Sequence, residues 1–520
     1  MSNLLSSMNM ATRALAVNQQ AINVASNNIA NMNTEGYSKQ RVNLETASNI
    51  ISIGNNVGRQ IKTNAGVQIG SITRYNNEYL KSYMREQNSL ASYYSQASDL
   101  ATGLQDIMNE LNGTGLDSVL SGFYAAVNNL NEYPADSTAR VNFIEQAKTL
   151  TTKFAYLTDE LNKSGTNALG DGTSQASLDN SLAATTITEL NSLLDELAVM
   201  NDTIAKVQTG DLSANNLLDN RDVLLKKLSE FMEFDYKEAS NGTIDLSYQG
   251  MSLVKGNKVV GELNIRLPEA DESGPAVIDI VNPETKEKVY ASVNDTLNTG
   301  SLGAIVQSVN QDSDIMTAEK VISSLDKLAT GIANVFNELQ TKEGAYCIDG
   351  TTMTLKESSA PLFISDEVDA NGNYIFTAAN IKVNDAFNDD PFLVAAAYFE
   401  PGTFDPAKDS LAVGNAINVK AMLASRTDGT LYADLGNMTP ENYLTALVGK
   451  IGVQAGNMST NAESQADIVE GLNNKILAET GVDFNEELVD LIKYQRAYEA
   501  SAKVFNVCNE CLALLVTLGN

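Results

Sequence analysis

Both ends of the chain carry the same apolar repeat, and any fold of this sequence has to bury both. Near the N-terminus, eight residues recur at alternating spacings of four and three: Leu4, Met8, Ala11, Leu15, Asn18, Ile22, Ala25 and Ile29. The same spacings relate eight residues near the C-terminus: Leu488, Leu491, Gln495, Tyr498, Ala502, Phe505, Asn509 and Leu512. Heptad spacing predicts a helix with one narrow apolar stripe. Neither helix can bury its stripe alone, so we expect either packing within the core of one chain or pairing of the two terminal helices in contact with neighbouring copies.

The segments between the terminal helices change character several times. Glycines punctuate short β-like runs over residues 34–72, which predicts an extended segment with a hairpin. Helical periodicity predicts further helices at about 117–130, 137–163, 180–208, 214–232, 314–340, 440–478 and 484–518. After the Asn241-Gly242 turn signal, Ile244, Leu246 and Tyr248 alternate with polar residues, which favours β-structure.

These signals divide the chain into six parts. They are an N-terminal helix at 1–33, an extended segment and helical core at 34–235, a β-rich domain at 236–310, a core helix at 311–344, a second β-rich or irregular domain at 345–435, and C-terminal helices at 436–520 that pair with the N-terminus. This order predicts a multidomain α+β protein. Its long helical bundle or coiled-coil core is built from both chain termini, and the β-rich domains are inserted in the middle.

Charge and residue usage argue against several classes of function. The chain has 35 Lys and Arg against 65 Asp and Glu, a net charge of -30. Such a surface is repelled by phosphate backbones and anionic headgroups, so we expect no nucleic acid and no membrane as partners. Histidine is absent, which removes the commonest general base and metal ligand. The sequence shows neither a transmembrane stretch nor a cleavable signal peptide, and the residues alone therefore predict a cytoplasmic location.

Two short motifs imitate metal or redox sites. Cys508 and Cys511 have the C-x-x-C spacing of such sites, but they lie late in a predicted helix and only Cys347 could join them. Glu367 begins a stretch similar to a calcium loop, yet its twelfth position, Ala378, cannot supply the bidentate carboxylate. We therefore favour helix packing for the cysteines and a hairpin turn for the acidic stretch. The sequence predicts no catalytic residue, no metal and no cofactor.

A polar motif closes the first helix. Ser26–Asn31 reads SNNIAN, and Thr34, Gly36 and Tyr37 follow it. Amide side chains carry donors and acceptors together, so a close-packed assembly can use them for specific lateral contacts. The alternative is that they only cap the helix by bonding backbone groups at its end. In either case Gly36 suits a turn with positive φ.

Both terminal motifs resemble those of flagellar rod, hook and hook-associated proteins. The resemblance is carried by Ala14-Leu15, Asn18-Gln19, Ser26–Asn31, Thr34 and Gly36-Tyr37-Ser38 at one end, and by Gly481-Val482, Asn485–Leu488, Leu491, Tyr494–Tyr498 and Ala500–Lys503 at the other. The internal stretch Asn216–Ser229 is similar to a helix of the hook-associated members, and the long helical region at 75–232 is unlike a β-dominated hook protein. Glu35 departs from the family, in which this position is often small or Pro.

The resemblance implies a structural, non-enzymatic subunit at the junction between hook and filament. It also implies export by the flagellar type III apparatus, with a signal region in residues 1–33 that is not cleaved, so the extracellular flagellum replaces the cytoplasm as the expected location. The implied partners are further copies of this chain in a ring, the flagellar hook protein, hook-associated protein 3 and a dedicated export chaperone. The alternatives are another axial protein of hook or rod type and a secreted enzyme on an axial scaffold.

The repeats and the resemblance together select the residues expected to carry assembly. The N-terminal set is Leu4, Met8, Leu15, Ile22, Ser26, Asn27, Asn28, Ile29, Asn31, Thr34, Gly36 and Tyr37. The C-terminal set, which the export chaperone is also expected to bind, is Leu488, Leu491, Gln495, Arg496, Tyr498, Ala502, Phe505, Asn509 and Leu512.

Overall fold

A long helix and a β-hairpin form the N-terminal part of the protein. The structure, a computed structural model, describes residues 2–52, 60–109, 115–207, 212–270, 272, 274–290, 292–310 and 315–518. Helix α1 (Ser2–Asn31) leads into the antiparallel strands β1 (Gln40–Ser52) and β2 (Gln60–Arg74). At the base of this hairpin Gln40 pairs with Arg74. The hairpin predicted from the glycine-punctuated runs is therefore confirmed.

Six helices follow the hairpin. They are α2 (Glu78–Asn109), α3 (Leu116–Glu132), α4 (Ser137–Leu169), α5 (Gln175–Asp179), α6 (Leu182–Lys206) and α7 (Leu212–Phe231). Their starts have local causes: the Asp136 carboxylate accepts the N–H of Thr138 before α4, and the Ser181 hydroxyl oxygen accepts the N–H of Ala184 before α6. The helices predicted in this region are confirmed to within a few residues.

The first β region forms two antiparallel sheets. The strands are β3 (Asp235–Glu238), β4 (Ile244–Tyr248), β5 (Met251–Lys255) and β6 (Lys258–Val259) in one sheet, and β7 (Glu262–Arg266), β8 (Val277–Val281) and β9 (Lys288–Tyr290) in the other. Ile244, Leu246 and Tyr248 are buried, while the residues between them are partly exposed. The short helix α8 (Gly300–Val309) joins these sheets and helices α5–α7 in one apolar core.

The second irregular region shares a core with the long helices. Its elements are α9 (Ala318–Thr341), β10 (Ala345–Asp349), β11 (Thr354–Glu357), β12 (Phe363–Ile364), β13 (Lys382–Val383), α10 (Ala386–Asp389), β14 (Ala397–Tyr398), α11 (Pro406–Asp409) and α12 (Ile417–Ala424). Phe363 and Phe387 are fully buried in the cluster that also contains residues of α3, α4 and α9. Much of this region is therefore held by tertiary contacts rather than by long strands.

Three buried polar side chains hold the backbone of residues 392–396. Arg140 of α4 donates to the carbonyl oxygens of Phe392 and Val394, at 3.1 and 2.7 Å. The Gln340 amide of α9 donates to Leu393 O and accepts the N–H of Ala395, and the Asn418 amide of α12 donates to Ala395 O. All three side chains are fully buried. An irregular segment can lie inside the protein because these groups replace the hydrogen bonds of a sheet.

Two long helices complete the chain, α13 (Pro440–Thr480) and α14 (Phe484–Leu518). Ile476, near the end of α13, packs against Leu80 and Met84 near the start of α2, so the two helices run antiparallel. Helix α14 packs along α1. The predicted fold class is confirmed: helices from both ends of the chain pack together, and the β-sheets lie between them in sequence.

Candidate assembly site at the terminal segments

The buried face of α1 is small. Its centre is formed by Val17, Ala21, Val24 and Asn28. Ala21 and Val24 pack against Val42 of β1 and Ile72 of β2, with Tyr494 of α14 partly buried beside them. Four buried apolar side chains form this cluster, so α1, the hairpin and α14, together called the terminal segments below, have few apolar contacts with one another.

The predicted stripe of α1 lies beside this buried face. Leu4, Met8, Leu15, Ile22 and Ile29 are each partly exposed. Ala11 and Ala25 of the same repeat are buried as predicted. At other turns the covered face lies one residue toward the N-terminus, at Val17, Ala21 and Asn28, which is about 100° around an α-helix. The buried face therefore overlaps the predicted stripe only in part, because apolar residues occur on both adjacent faces and the small Ala and Val side chains let the hairpin approach closely.

The repeat of α14 is partly covered at four of its eight positions. Leu491, Ala502, Phe505 and Leu512 are partly buried as predicted, and the exposed members of the predicted set are Leu488, Gln495, Arg496, Tyr498 and Asn509. Asn509, which the repeat placed in the stripe, faces solvent, and its neighbour Cys508 is 7% exposed. The inner position at this turn belongs to Cys508, so the predicted position of Asn509 inside the stripe is wrong for this chain.

Asn28 joins three parts of the terminal segments. Its Nδ2 donates to the carbonyl of Gln40 at 2.9 Å and to the Glu487 carboxylate at 3.0 Å. Its Oδ1 accepts the N–H of Gln40 at 3.0 Å and the hydroxyl of Tyr37 at 2.8 Å. The amide is 1% exposed, and it uses its donor and acceptor capacity at once. Asn28 thus makes tertiary contacts between α1, the chain before the hairpin and α14.

The other motif residues make local contacts. Asn31 donates to the carbonyl of Asn27, and Asn27 donates to the Tyr37 hydroxyl at 3.2 Å. Thr34 donates to the Asn31 side chain at 3.4 Å, and Ser26 is exposed. Capping therefore describes Asn31 and Thr34, whereas Asn28 has the wider role.

An ion pair reinforces the contact of the hairpin base with α14. Lys39 Nζ lies 2.7 Å from Glu486 Oε2 and 3.2 Å from Glu487 Oε1. Burial alone would lower the pKa of Lys39, but hydrogen bonds to both carboxylates raise it above its ordinary value. Burial, followed by the charges of Asp219 and Glu487, raises the pKa of Tyr37 well above its usual range, so its hydroxyl stays a hydrogen-bond donor.

Helix α7 contacts the same region from the other side. The Gln40 side chain donates to Asn216 Oδ1 at 2.8 Å, and Ser38 N–H donates to Asp219 Oδ2 at 3.2 Å. Gly36 has φ of +77°, and a Cβ at this position would lie 2.2 Å from Val223 Cγ2. Only glycine satisfies both conditions, so the positive-φ turn predicted at Gly36 is confirmed. The internal stretch at 216–229 therefore meets the N-terminal motif.

Two charge partners of this region escaped the sequence analysis. Arg74 Nη1 lies 2.9 Å from Asp219 and 2.7 Å from Asp222, and Lys81 Nζ lies 2.6 Å from Asp222. Burial would raise the pKa of Asp222, but Arg74 and Lys81 lower it below its usual value. The available signal was the spacing of Asp219 and Asp222 by three residues in a predicted helix, although nothing near them in the sequence identifies Arg74.

The two imitated metal sites have structural explanations. Cys508 is buried and Cys511 is exposed on α14. The Asp369 carboxylate accepts the N–H groups of Asn371 and Asn373, each at 2.8 Å, so the predicted hairpin turn is confirmed. Within the described residues, no group of three or more Cys, Asp and Glu is arranged to hold a metal ion.

Comparisons with known proteins match both ends and the middle of the chain. The model described as "Flagellar hook-associated protein FlgK helical domain" matches residues 101–352. "Flagella basal body rod protein" matches residues 8–37, and "Flagellar basal body rod FlgEFG protein C-terminal" matches residues 474–518. Flagellar hook-associated protein 1 of Bacillus subtilis (strain 168) is 25% identical over 525 residues, which are 96% of this chain and 96% of the relative.

Over nearly its whole length the chain is similar to flagellar hook-associated protein 1. A second relative, from Escherichia coli (strain K12), is 25% identical over 584 residues, which are 98% of this chain and 99% of the relative. The flagellar hook junction protein FlgK from Burkholderia pseudomallei has a similar fold, with a TM-score of 0.55 at 14% identity, over 76% of this chain and 99% of that one. These matches support a structural role for the chain in the bacterial flagellum.

One apolar surface of α14 is largely exposed. Val489, Ile492, Val504 and Val507 are 49–64% exposed. None of the described helices is long and apolar enough to cross a membrane. We call these four valine and isoleucine side chains the outer face of α14.

Proposed function

We propose that this chain is the subunit that joins hook to filament, and that its copies form a ring at the hook tip. In this proposal the flagellar hook protein lies below the ring and hook-associated protein 3 above it. The observation that supports it most is the meeting of three distant stretches at Asn28, Gln40 and α7. This arrangement brings both chain ends into one unit and leaves the outer face of α14 uncovered.

The terminal segments are the proposed assembly surface. Helix α14 has 35 residues and is about 50 Å long at the rise of an α-helix. Arg13 is the one charged residue in α1, although the whole chain has a net charge of -30. Copies of α1 can therefore approach one another without the repulsion that the rest of the surface would cause. Burial of the outer face of α14 between copies supplies a hydrophobic driving force.

Export explains how such a surface is handled before assembly. We infer that the chain leaves the cell through the flagellar type III apparatus without a cleaved signal peptide. Before export a dedicated export chaperone covers α14, because an apolar helix face exposed in the cytoplasm favours aggregation. The predicted residues of this surface, from Leu488 to Leu512, stay a prediction for both the chaperone and the ring.

Two other functions compete with this proposal. A hook or rod subunit is favoured by the family matches at residues 8–37 and 474–518, which are described by rod proteins. A secreted enzyme on an axial scaffold is the second alternative, and we propose that the chain is not an enzyme because the sequence offers no catalytic constellation. The position of the protein in isolated flagella distinguishes a hook or rod subunit from the proposed junction subunit. A hydrolase screen of the purified chain tests the enzyme alternative.

The deciding experiment is a complementation: the chain is expressed in a strain that lacks the gene for it. We expect wild type to restore filaments, with antibody label at the boundary between hook and filament. The double variant Val489→Gln/Val507→Gln changes two valines of the outer face of α14, which are 64% and 57% exposed. It should fold normally but fail to restore attached filaments.

A matched control changes two equally exposed valines elsewhere. Val199 of α6 and Val453 of α13 are 67% and 64% exposed, so Val199→Gln/Val453→Gln makes the same chemical change outside the terminal segments. It should restore filaments like wild type. Equal loss in both double variants would refute the role of α14, and label along the whole hook or in the rod would refute the junction position.

A further inference from the structure

Helix α7 presents one polar face to the terminal segments. The face consists of Asn215, Asn216, Asp219 and Asp222, which lie on successive turns of the helix. Its partners come from the hairpin base. Asn215 Nδ2 donates to the Gln40 side chain at 3.2 Å and to the carbonyl of Ile72 at 3.1 Å, and Asp219 accepts the N–H of Ser38.

Arg74 carries the charge balance of this contact. Its guanidinium bridges Asp219 and Asp222, and the Arg74 and Asp219 side chains are 9% and 5% exposed. Without Arg74, Asp219 would be a nearly buried carboxylate with no cation bonded to it, because Lys81 bonds Asp222 alone. Removing one partner of a buried ion pair is strongly destabilising, since the other charge stays desolvated.

The contact is polar and incompletely packed. A cavity of about 70 Å³ lies where residues 35–38 meet α2, α7 and α13. It is large enough to hold water, since one molecule needs at least about 10–15 Å³ of such space. Hydrogen bonds and ion pairs are directional, so they fix the orientation of the segments they join.

We propose that this face of α7 is a docking surface for the terminal segments, and that Arg74 is the positioning residue that fixes the orientation of α1 and α14 against the helical body. Loss of Arg74 detaches the terminal segments without unfolding them, because the Asn28 amide bonds the Gln40 backbone and the Glu487 carboxylate, and neither partner belongs to α7. Docking within one chain is independent of the proposed function. The consequence of docking for assembly rests on the proposed function.

Amide hydrogen exchange of the purified full-length chain tests the docking. The Ser38 amide donates to Asp219 across the docking surface, whereas the Gln40 amide donates to Asn28 within the terminal segments. In Arg74→Met we expect exchange at Ser38 to rise roughly 100-fold. Exchange at Gln40 should stay within about threefold of wild type, because its partner is unchanged.

Arg41→Met is the matched control. Arg41 lies opposite Thr73 in the hairpin, next to the pair formed by Gln40 and Arg74, and its side chain is exposed. The variant loses the same charge from the same hairpin, so exchange at Ser38 should stay within about twofold of wild type. If Arg74→Met does not fold, Asn216→Ala decides: it removes one bond to Gln40 at an exposed position and should raise exchange at Ser38 about fivefold.

Three exchange results would overturn the docking: no protection of Ser38 in wild type, equal exchange in Arg74→Met and Arg41→Met, or a joint rise at Ser38 and Gln40.

The same variants are then expressed in the strain that lacks the gene for this chain. Loss of attached filaments with Arg74→Met but not with Arg41→Met supports the positioning role. Normal attachment despite fast exchange at Ser38 overturns it. Failure of the junction function itself would appear differently, as wild type that restores no filaments.

Discussion

Replacing Arg140 should reveal how much the irregular region at 345–435 contributes to the stability of the helical body. Arg140 is 0% exposed and donates to three carbonyl oxygens, of Pro134, Phe392 and Val394, at 2.8, 3.1 and 2.7 Å. Its guanidinium makes no ion pair within 4 Å among the described residues, and burial lowers its pKa to about 10. The variant Arg140→Met keeps a long apolar stem and removes every donor.

The size of the effect follows from two opposing terms. Three buried carbonyls lose a charged donor, and each group left unsatisfied costs about 1–3 kcal/mol. Methionine offsets part of this loss, because the folded protein no longer has to desolvate a charge. We expect a net loss of about 2–4 kcal/mol in the free energy of unfolding. With a urea slope of about 2–3 kcal/mol per molar, the unfolding midpoint should fall by roughly 1 M.

Urea unfolding followed by far-ultraviolet circular dichroism measures this change, since the chain contains no tryptophan. Arg426→Met is the control: Arg426 is 36% exposed and pairs with Glu441 at 2.8 Å, so we expect a loss of at most about 1 kcal/mol. A midpoint for Arg140→Met equal to that of Arg426→Met would refute the reasoning. It would mean that the cost of burying the guanidinium cancels its three hydrogen bonds.

Two further predictions concern the terminal segments. Asn28→Ala should reduce the number of attached filaments at least about tenfold, whereas Asn27→Ala, which loses only local bonds to Tyr37 and Asn31, should retain them; equal counts in electron micrographs would contradict the role of Asn28. Arg74 and Lys81 lower the pKa of Asp222, so its stabilising contribution is present above the ordinary Asp value near 3.8 and is lost as pH falls through the lowered value. Protection of the Ser38 amide should therefore fall more steeply below pH 3.8 in wild type than in Asp222→Asn, and parallel pH profiles would count against this reasoning.

Local signals in the sequence were sufficient for most of the helices. The predicted range 484–518 coincides with α14, and the range 440–478 differs from α13 by two residues at its end. At the start of α13, Thr439 caps the helix and Pro440 occupies its first turn, and both are readable from neighbouring residues alone. The alternation that predicted β4 was equally local, because one face of that strand packs on a core.

The irregular region at 345–435 could not be derived in the same way. Its strands have two to five residues, and its central backbone is held by Arg140, Gln340 and Asn418. These side chains come from three helices far apart in sequence. Such contacts leave no periodic pattern in the sequence, because each partner is a backbone group that any residue could supply.

The sequence by itself determined that both ends are helical, that each carries an apolar stripe, and that Gly36 occupies a tight turn. Tertiary structure decided which side of each helix is covered. On α1 and α14 two adjacent faces have heptad spacing, and the choice of Asn28 over Ile29 and of Cys508 over Asn509 depends on the surface that packs against them. Only the folded chain brings Arg74 to Asp219 across 145 residues, since charge complementarity acts through space and leaves no spacing in the sequence.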